Sequence, residues 1–156
     1  MRVKTTIALL LLACAPVLAQ QSPDPAAHST PPATVPFSEF KVKLEVEKGE
    51  FEVRGNLTLA PESDGINLYK EEVEVKVGSF AVTLPAGSFK QDGERTKIRY
   101  QGRVGQFDLD VLFRITGRTS YHIKIEGEGG DIGKVSPEDV TVRVGNDAGT
   151  ATTLTP

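Results

Sequence analysis

Glu62, Asp64 and Asn67 crowd around Gly65, and oxygen donors packed that closely are what a calcium ion takes. A complete calcium loop carries acidic residues at alternate positions and ends on a Glu that grips with both oxygens. The run Glu62-Ser-Asp-Gly-Ile-Asn67 falls short of that ligand count. Other acidic side chains stand at Asp92, Asp131, Asp139 and Asp147, beside or within two residues of Gly, Pro or Asn, where Asp and Asn ordinarily make turns. Metal binding is therefore expected only where separate loops converge, with Glu62, Asp64, Asn67, Asp131 and Asp147 as the candidate ligands.

Other chemistries have less to work with. The chain has two His, one Cys, one Met and no Trp. His122 alternates with Tyr121 and Ile123 and so belongs to the polar side of a strand. A relay from serine through histidine would have to run through it, and no Gly-x-Ser-x-Gly elbow exists to present the serine. His28 sits in a proline-rich stretch and has no second ligand for zinc. Residues 127–133, Gly-Glu-Gly-Gly-Asp-Ile-Gly, are rich enough in glycine to cradle a phosphate. That use needs a helix to follow, and Val135-Ser-Pro-Glu-Asp139 follows instead. Carboxylate pairs could do acid–base work if one were buried enough to stay protonated, but the strand glutamates point to solvent. A sugar platform would rest on Tyr69, because Tyr100 and Tyr121 share the phase of the apolar residues. The expectation is a protein that is not an enzyme and carries no cofactor.

The elements that hold these residues are strands. Phe40, Val42, Leu44 and Val46 alternate with charged residues, and Phe51, Val53, Leu57 and Leu59 do so after Lys48-Gly49. Period-two alternation marks half-buried strands. A two-residue turn at Lys48-Gly49 puts every apolar side chain of both on one face. It also sets Glu45 opposite Glu52 and Lys43 opposite Arg54, a repulsion that diagonal pairing or a bulge at Gly55 would ease. The pattern recurs as Val73, Val75 and Val77 against Phe80, Val82 and Leu84 across Gly78-Ser79. It recurs again as Ile98 and Tyr100 against Leu109 and Val111 across Val104-Gly105, with Gln101 facing Asp108 and Arg99 facing Asp110. Tyr121, Ile123 and Ile125, then Val140, Val142 and Val144, then residues 150–154 supply the rest. The fold expected is all-β: an antiparallel β-sandwich or barrel-like fold of eight to nine strands. The residues expected in its core include Phe51, Val53, Val75, Phe80, Leu109 and Val111.

Two echoes run through the domain. Lys41-Val-Lys-Leu with Gly49-Glu-Phe-Glu-Val53 matches Lys97-Ile-Arg-Tyr with Gly105-Gln-Phe-Asp-Leu109 at one offset. Glu72-Val-Glu-Val-Lys-Val-Gly78 matches Asp139-Val-Thr-Val-Arg-Val-Gly145 at an offset longer by about one strand and its turn. Either an internal duplication gained a strand, or β alternation imitates one.

Residues 1–19 read as an export signal. Arg2 and Lys4 precede an apolar run too short to cross a bilayer, and Val17-Leu18-Ala19 suits cleavage before Gln20. Leu11-Leu12-Ala13-Cys14 is the competing lipobox reading, and lipidation at Cys14 is the one route to a membrane. Residues 20–36 hold five prolines, at 23, 25, 31, 32 and 36, and form a linker or disordered tail; residues 37–156 form a single β domain. Losing Arg2 and Lys4 takes the formal charge from −3 to −5, which disfavours nucleic acid as a partner.

The phrases Gly-Asn-Leu-Thr-Leu from Gly55, Ser-Asp-Gly-Ile-Asn from Ser63, Leu-Pro-Ala-Gly-Ser-Phe-Lys from Leu84 and Val-Gly-Asn-Asp-Ala-Gly-Thr from Val144 follow one another in order. This order resembles a loosely defined group of exported bacterial β domains, often found in tandem, with no established activity. The resemblance implies a fold and an address, and it carries over no site residue. The function expected is a non-catalytic exported structural or adhesive module, secreted or periplasmic, touching a protein or glycan. The alternative is a β module that binds calcium, a glycan or another small ligand through its acidic loops.

Overall fold

The computed structural model describes residues 33–153; the leader 1–19, Cys14, His28 and most of the 20–36 segment lie outside the described residues, as does Leu154. Strands make up 57% of the described chain, which has no α-helix. In order these are β1 (Val35–Pro36), β2 (Glu39–Glu47), β3 (Glu50–Thr58), β4 (Val73–Val77), β5 (Phe80–Leu84), β6 (Lys90–Gln91), β7 (Lys97–Val104), β8 (Phe107–Ile115), β9 (Ser120–Glu128), β10 (Val140–Val144), β11 (Asp147–Thr150) and β12 (Thr152–Thr153). They form a five-stranded sheet, β1-β11-β10-β4-β5, and a seven-stranded sheet, β12-β2-β3-β9-β8-β7-β6. The two sheets pack face to face as an open sandwich, so the barrel-like alternative does not hold.

Period two explains why this is the stable solution. Along β3 and β9 every second residue is buried, and the residues between them reach solvent. The buried sets of both sheets merge into one core that includes all six expected residues, Phe51, Val53, Val75, Phe80, Leu109 and Val111. At one end Phe51, Phe80 and Phe107 close into a triangle, with ring centroids 5.6, 5.8 and 4.8 Å apart. Gly127 lies directly opposite Phe51 in the β3–β9 ladder, and its missing side chain is the space the ring fills. The glycine-rich run is thus partly regular strand.

The β2–β3 and β4–β5 hairpins have the expected registers, with Val46 facing Phe51 and Val77 facing Phe80. The β7–β8 hairpin does not. Its turn is Gly105-Gln106, so Gln101 faces Asp110 and Arg103 faces Asp108. A shift of two residues leaves every side chain on the same face, so apolar alternation cannot detect it. Gly105 decides it, because its φ of 61° suits the first central position of a hairpin turn. At the end of the chain, the strand expected at 150–154 is instead β11 and β12, separated at Ala151.

Val35–Pro36, assigned to the linker on proline content, is an edge strand beside β11. Val35 donates its N–H to Asn146 and Phe37 to Ala148, both at 2.8 Å. Pro36 stands between these two donors, where the strand tolerates its missing N–H.

Candidate functional site

The outward face of the seven-stranded sheet carries charged side chains in rows. Glu47, Glu50, Glu128 and Asp108 lie side by side across β2, β3, β9 and β8, and Glu45, Glu52, Glu126 and Asp110 form the next row along the same strands. At a strand spacing of about 4.8 Å, each row of four carboxylates spans roughly 15 Å. Glu45, Glu47, Glu50, Glu52, Glu126 and Glu128 border a shallow groove of about 120 Å³. Beyond the second row stand Lys43, Arg54 and Lys124, again side by side.

The like-charge pairs expected at Glu45–Glu52 and Lys43–Arg54 are present, and they extend onto β9. Neither a bulge at Gly55 nor cross-strand diagonals in the β2–β3 pair relieve them. Each strand instead neutralises itself. Lys43 meets Glu45 at 2.6 Å, Lys124 meets Glu126 at 2.6 Å, and Arg54 grips Glu52. On β7, Arg99 reaches Asp110 at 3.2 Å and Gln101 donates to it at 2.8 Å. The Lys43 ammonium, bonded to Glu45, holds that carboxyl below its ordinary range. Among the described residues no ion pair involves the outer row, Glu47, Glu50, Glu128 or Asp108. It is a stripe of four carboxylates without an ion pair on a regular sheet, and Arg103, which faces Asp108, ends it on β7.

The expected ligands do not assemble as one group. Asp131 accepts the Gly133 N–H at 2.7 Å in a local turn, beside Ile132, whose carbonyl accepts the Ser79 hydroxyl. That places it at the β4–β5 turn, whereas Asp147 lies level with Val73 at the far end of β4, about 13 Å along the strand. Asn67 caps its own turn: its Oδ1 accepts from Tyr69 N–H at 3.2 Å, and its N–H donates to Glu71. Glu62 is exposed on the same loop. Among the described residues no three His, Cys, Asp or Glu side chains gather in one place. His122 faces outward as expected and meets Asn56 at 3.1 Å, while burial and then Arg114 and Arg54 push its pKa down. Tyr69 is exposed, and Tyr121 is in the core.

Asp147 departs most from expectation. It opens β11 rather than sitting in a loop, and its side chain points inward. In the small sheet it completes a row with Val144, Val73 and Leu84, all buried. Its exposure is 1%, and among the described residues it is the one buried charged side chain. Neither carboxylate oxygen has a hydrogen-bond partner. Burial pushes its carboxyl above the ordinary range. The Ser63 hydroxyl, close but outside hydrogen-bond geometry, works against this, and the Asp64 charge adds to it. The proton therefore binds the folded chain more tightly than the unfolded one. The stability this contributes is fully present below the ordinary Asp pKa of 3.8 and is lost as pH rises through the raised value. Urea melts in metal-free buffer should show wild type losing stability relative to Asp147→Asn as pH climbs from about 4. A gap that does not change with pH would contradict the shift.

No protein-family model, no curated protein and no solved structure matches this chain.

Proposed function

We propose that this is a non-catalytic, exported contact module whose partner, a protein segment rich in Lys and Arg, docks on the acidic rows of the seven-stranded sheet. The observation that carries this reading is the outer row, Glu47, Glu50, Glu128 and Asp108, aligned across four strands and without an ion pair among the described residues. Side chains held in a strand ladder keep their spacing, so little order is lost when cations meet them. Charge complementarity of this kind favours fast encounter and selection by sign over great affinity. Anionic lipid headgroups and nucleic acids are repelled by the same surface.

A decalysine peptide tests the proposal. It should bind the domain at low ionic strength and lose most of its affinity by about 0.5 M salt, where charges are screened within a few ångströms. The double variant Glu50→Lys/Glu128→Lys should bind at least about tenfold more weakly. Ala81→Lys/Thr83→Lys makes a smaller charge change on the outer side of β5, and it should bind nearly as wild type. Weakening by the second variant in proportion to its charge change, about half that of the first on a logarithmic scale, would mean that net charge alone attracts the peptide, and the surface reading would fail.

A further inference from the structure

A buried carboxylate with both oxygens unpartnered is costly, because several kcal/mol of hydration are lost and nothing replaces them. Asp147 is in that state, and its surroundings deepen the problem. The charge of Asp64 acts on it from the loop between β3 and β4, and Tyr121 on the facing sheet feels both Asp147 and Glu71. No ion pair among the described residues involves Asp147, Asp64 or Glu71. A valine would continue the row of Val144 and Val73 at no such cost.

We infer that Asp147, buried with both oxygens unpartnered, is the inner ligand of a calcium site that Asp64 and the Ser63 hydroxyl complete from the β3–β4 loop, tying that loop to the β10–β11 hairpin. The donors are all oxygen, which selects a hard cation over zinc or copper. Asp147 supplies the inner ligand with both oxygens free, and Asp64, exposed at the loop surface, marks the way in. With two carboxylates, the remaining ligands must be backbone carbonyls and water. Calcium accepts such a set in irregular geometry, whereas magnesium demands a near-ideal octahedron. A site with so few charges belongs with those that bind at about 0.1–1 mM, as extracellular modules do. This site is separate from the acidic rows, and neither proposal depends on the other.

The test is the thermal midpoint of the full chain in EGTA and with 10 mM calcium or magnesium at matched ionic strength. Calcium should raise the wild-type midpoint by about 4–10 °C, more than magnesium does. Asp147→Asn should show no calcium response, and in EGTA it should melt at or above wild type because the unpaired charge is gone. Terbium gives a second readout. Tyr121 should sensitise its emission, calcium should quench that emission by displacement, and Asp64→Asn, a change at an exposed position, should abolish it. An identical wild-type midpoint in calcium and EGTA, or terbium emission unaffected by Asp64→Asn, would overturn the site. Asp147 would then be a buried neutral acid.

Discussion

Replacing Phe51 with Ala should cost the domain about 3–5 kcal/mol, measured as a lower urea midpoint with an unchanged slope. Phe51 is 2% exposed and touches the rings of Phe80 and Phe107. Losing its transfer energy alone accounts for about 1.5–3 kcal/mol. Its two edge-on or tilted ring contacts add about 0.5–1.5 kcal/mol each. The surrounding strands are held by ladders on both sides and cannot collapse into the space. Domains of this size have about 5–15 kcal/mol in total, and a disulfide cannot supplement it, because the only Cys in the chain is Cys14. The effect should therefore be visible as loss of folded protein on warming. A cost within about 0.5 kcal/mol would mean that the two sheets do not meet at Phe51.

Most of the fold was legible because alternation is a local signal. Two of the hairpins needed nothing beyond period two and a glycine-bearing turn, as Val75 facing Val82 illustrates. The β7–β8 register was not legible, because moving the pairing by two residues leaves every apolar side chain on its face. Val35–Pro36 was missed because proline content argues for a spacer, while the hydrogen bonds that make it a strand come from Asn146 and Ala148, over a hundred residues away. The echoes fall on distinct elements of the two sheets. Each matched hairpin, β2–β3 and β7–β8, lies in the large sheet, and β4 and β10, the other matched pair, lie side by side in the small one. β9 is the strand by which the second half is longer, but the matched residues do not pair alike: Val46 faces Phe51, whereas Phe107 faces Val104 rather than Gly102, so the sequence echo is not an echo of the ladders.

The site was less legible, for a physical reason. Glu45, Glu47, Glu50 and Glu52 could be read as a charged face of one hairpin. That they continue into Glu126, Glu128, Asp108 and Asp110 depends on β9 inserting between β3 and β8, a pairing that no local pattern announces. Asp147 was read as a turn residue because Asn-Asp ordinarily is one. Its inward orientation follows from the register of β11 on β10, which starts one residue earlier than a turn at Asn146-Asp147 would allow. A carboxylate at a core position is the kind of local inconsistency that marks a functional or strained site.

Gly127→Ala is the second large effect, and it should depend on Phe51. A Cβ at Gly127 would stand 2.3 Å from the Phe51 ring, far inside van der Waals contact. Ala in place of Gly normally helps a strand by about 0.4–1 kcal/mol, through the unfolded chain. Overpacking costs about 1–3 kcal/mol, and here the ring cannot swing away because Phe80 and Phe107 bracket it. The clash should win, giving a net loss of about 1–2 kcal/mol in the wild-type background. In Phe51→Ala the ring is gone, and the same methyl enters an empty space. There Gly127→Ala should be neutral or stabilising, so the double-mutant cycle should show a coupling of at least about 1 kcal/mol. Additive effects would mean that the ring and the glycine do not meet across the β3–β9 ladder. That pairing is also what aligns Glu50 with Glu128 and Glu52 with Glu126, so one cycle tests both the core end and the rows of charge above it.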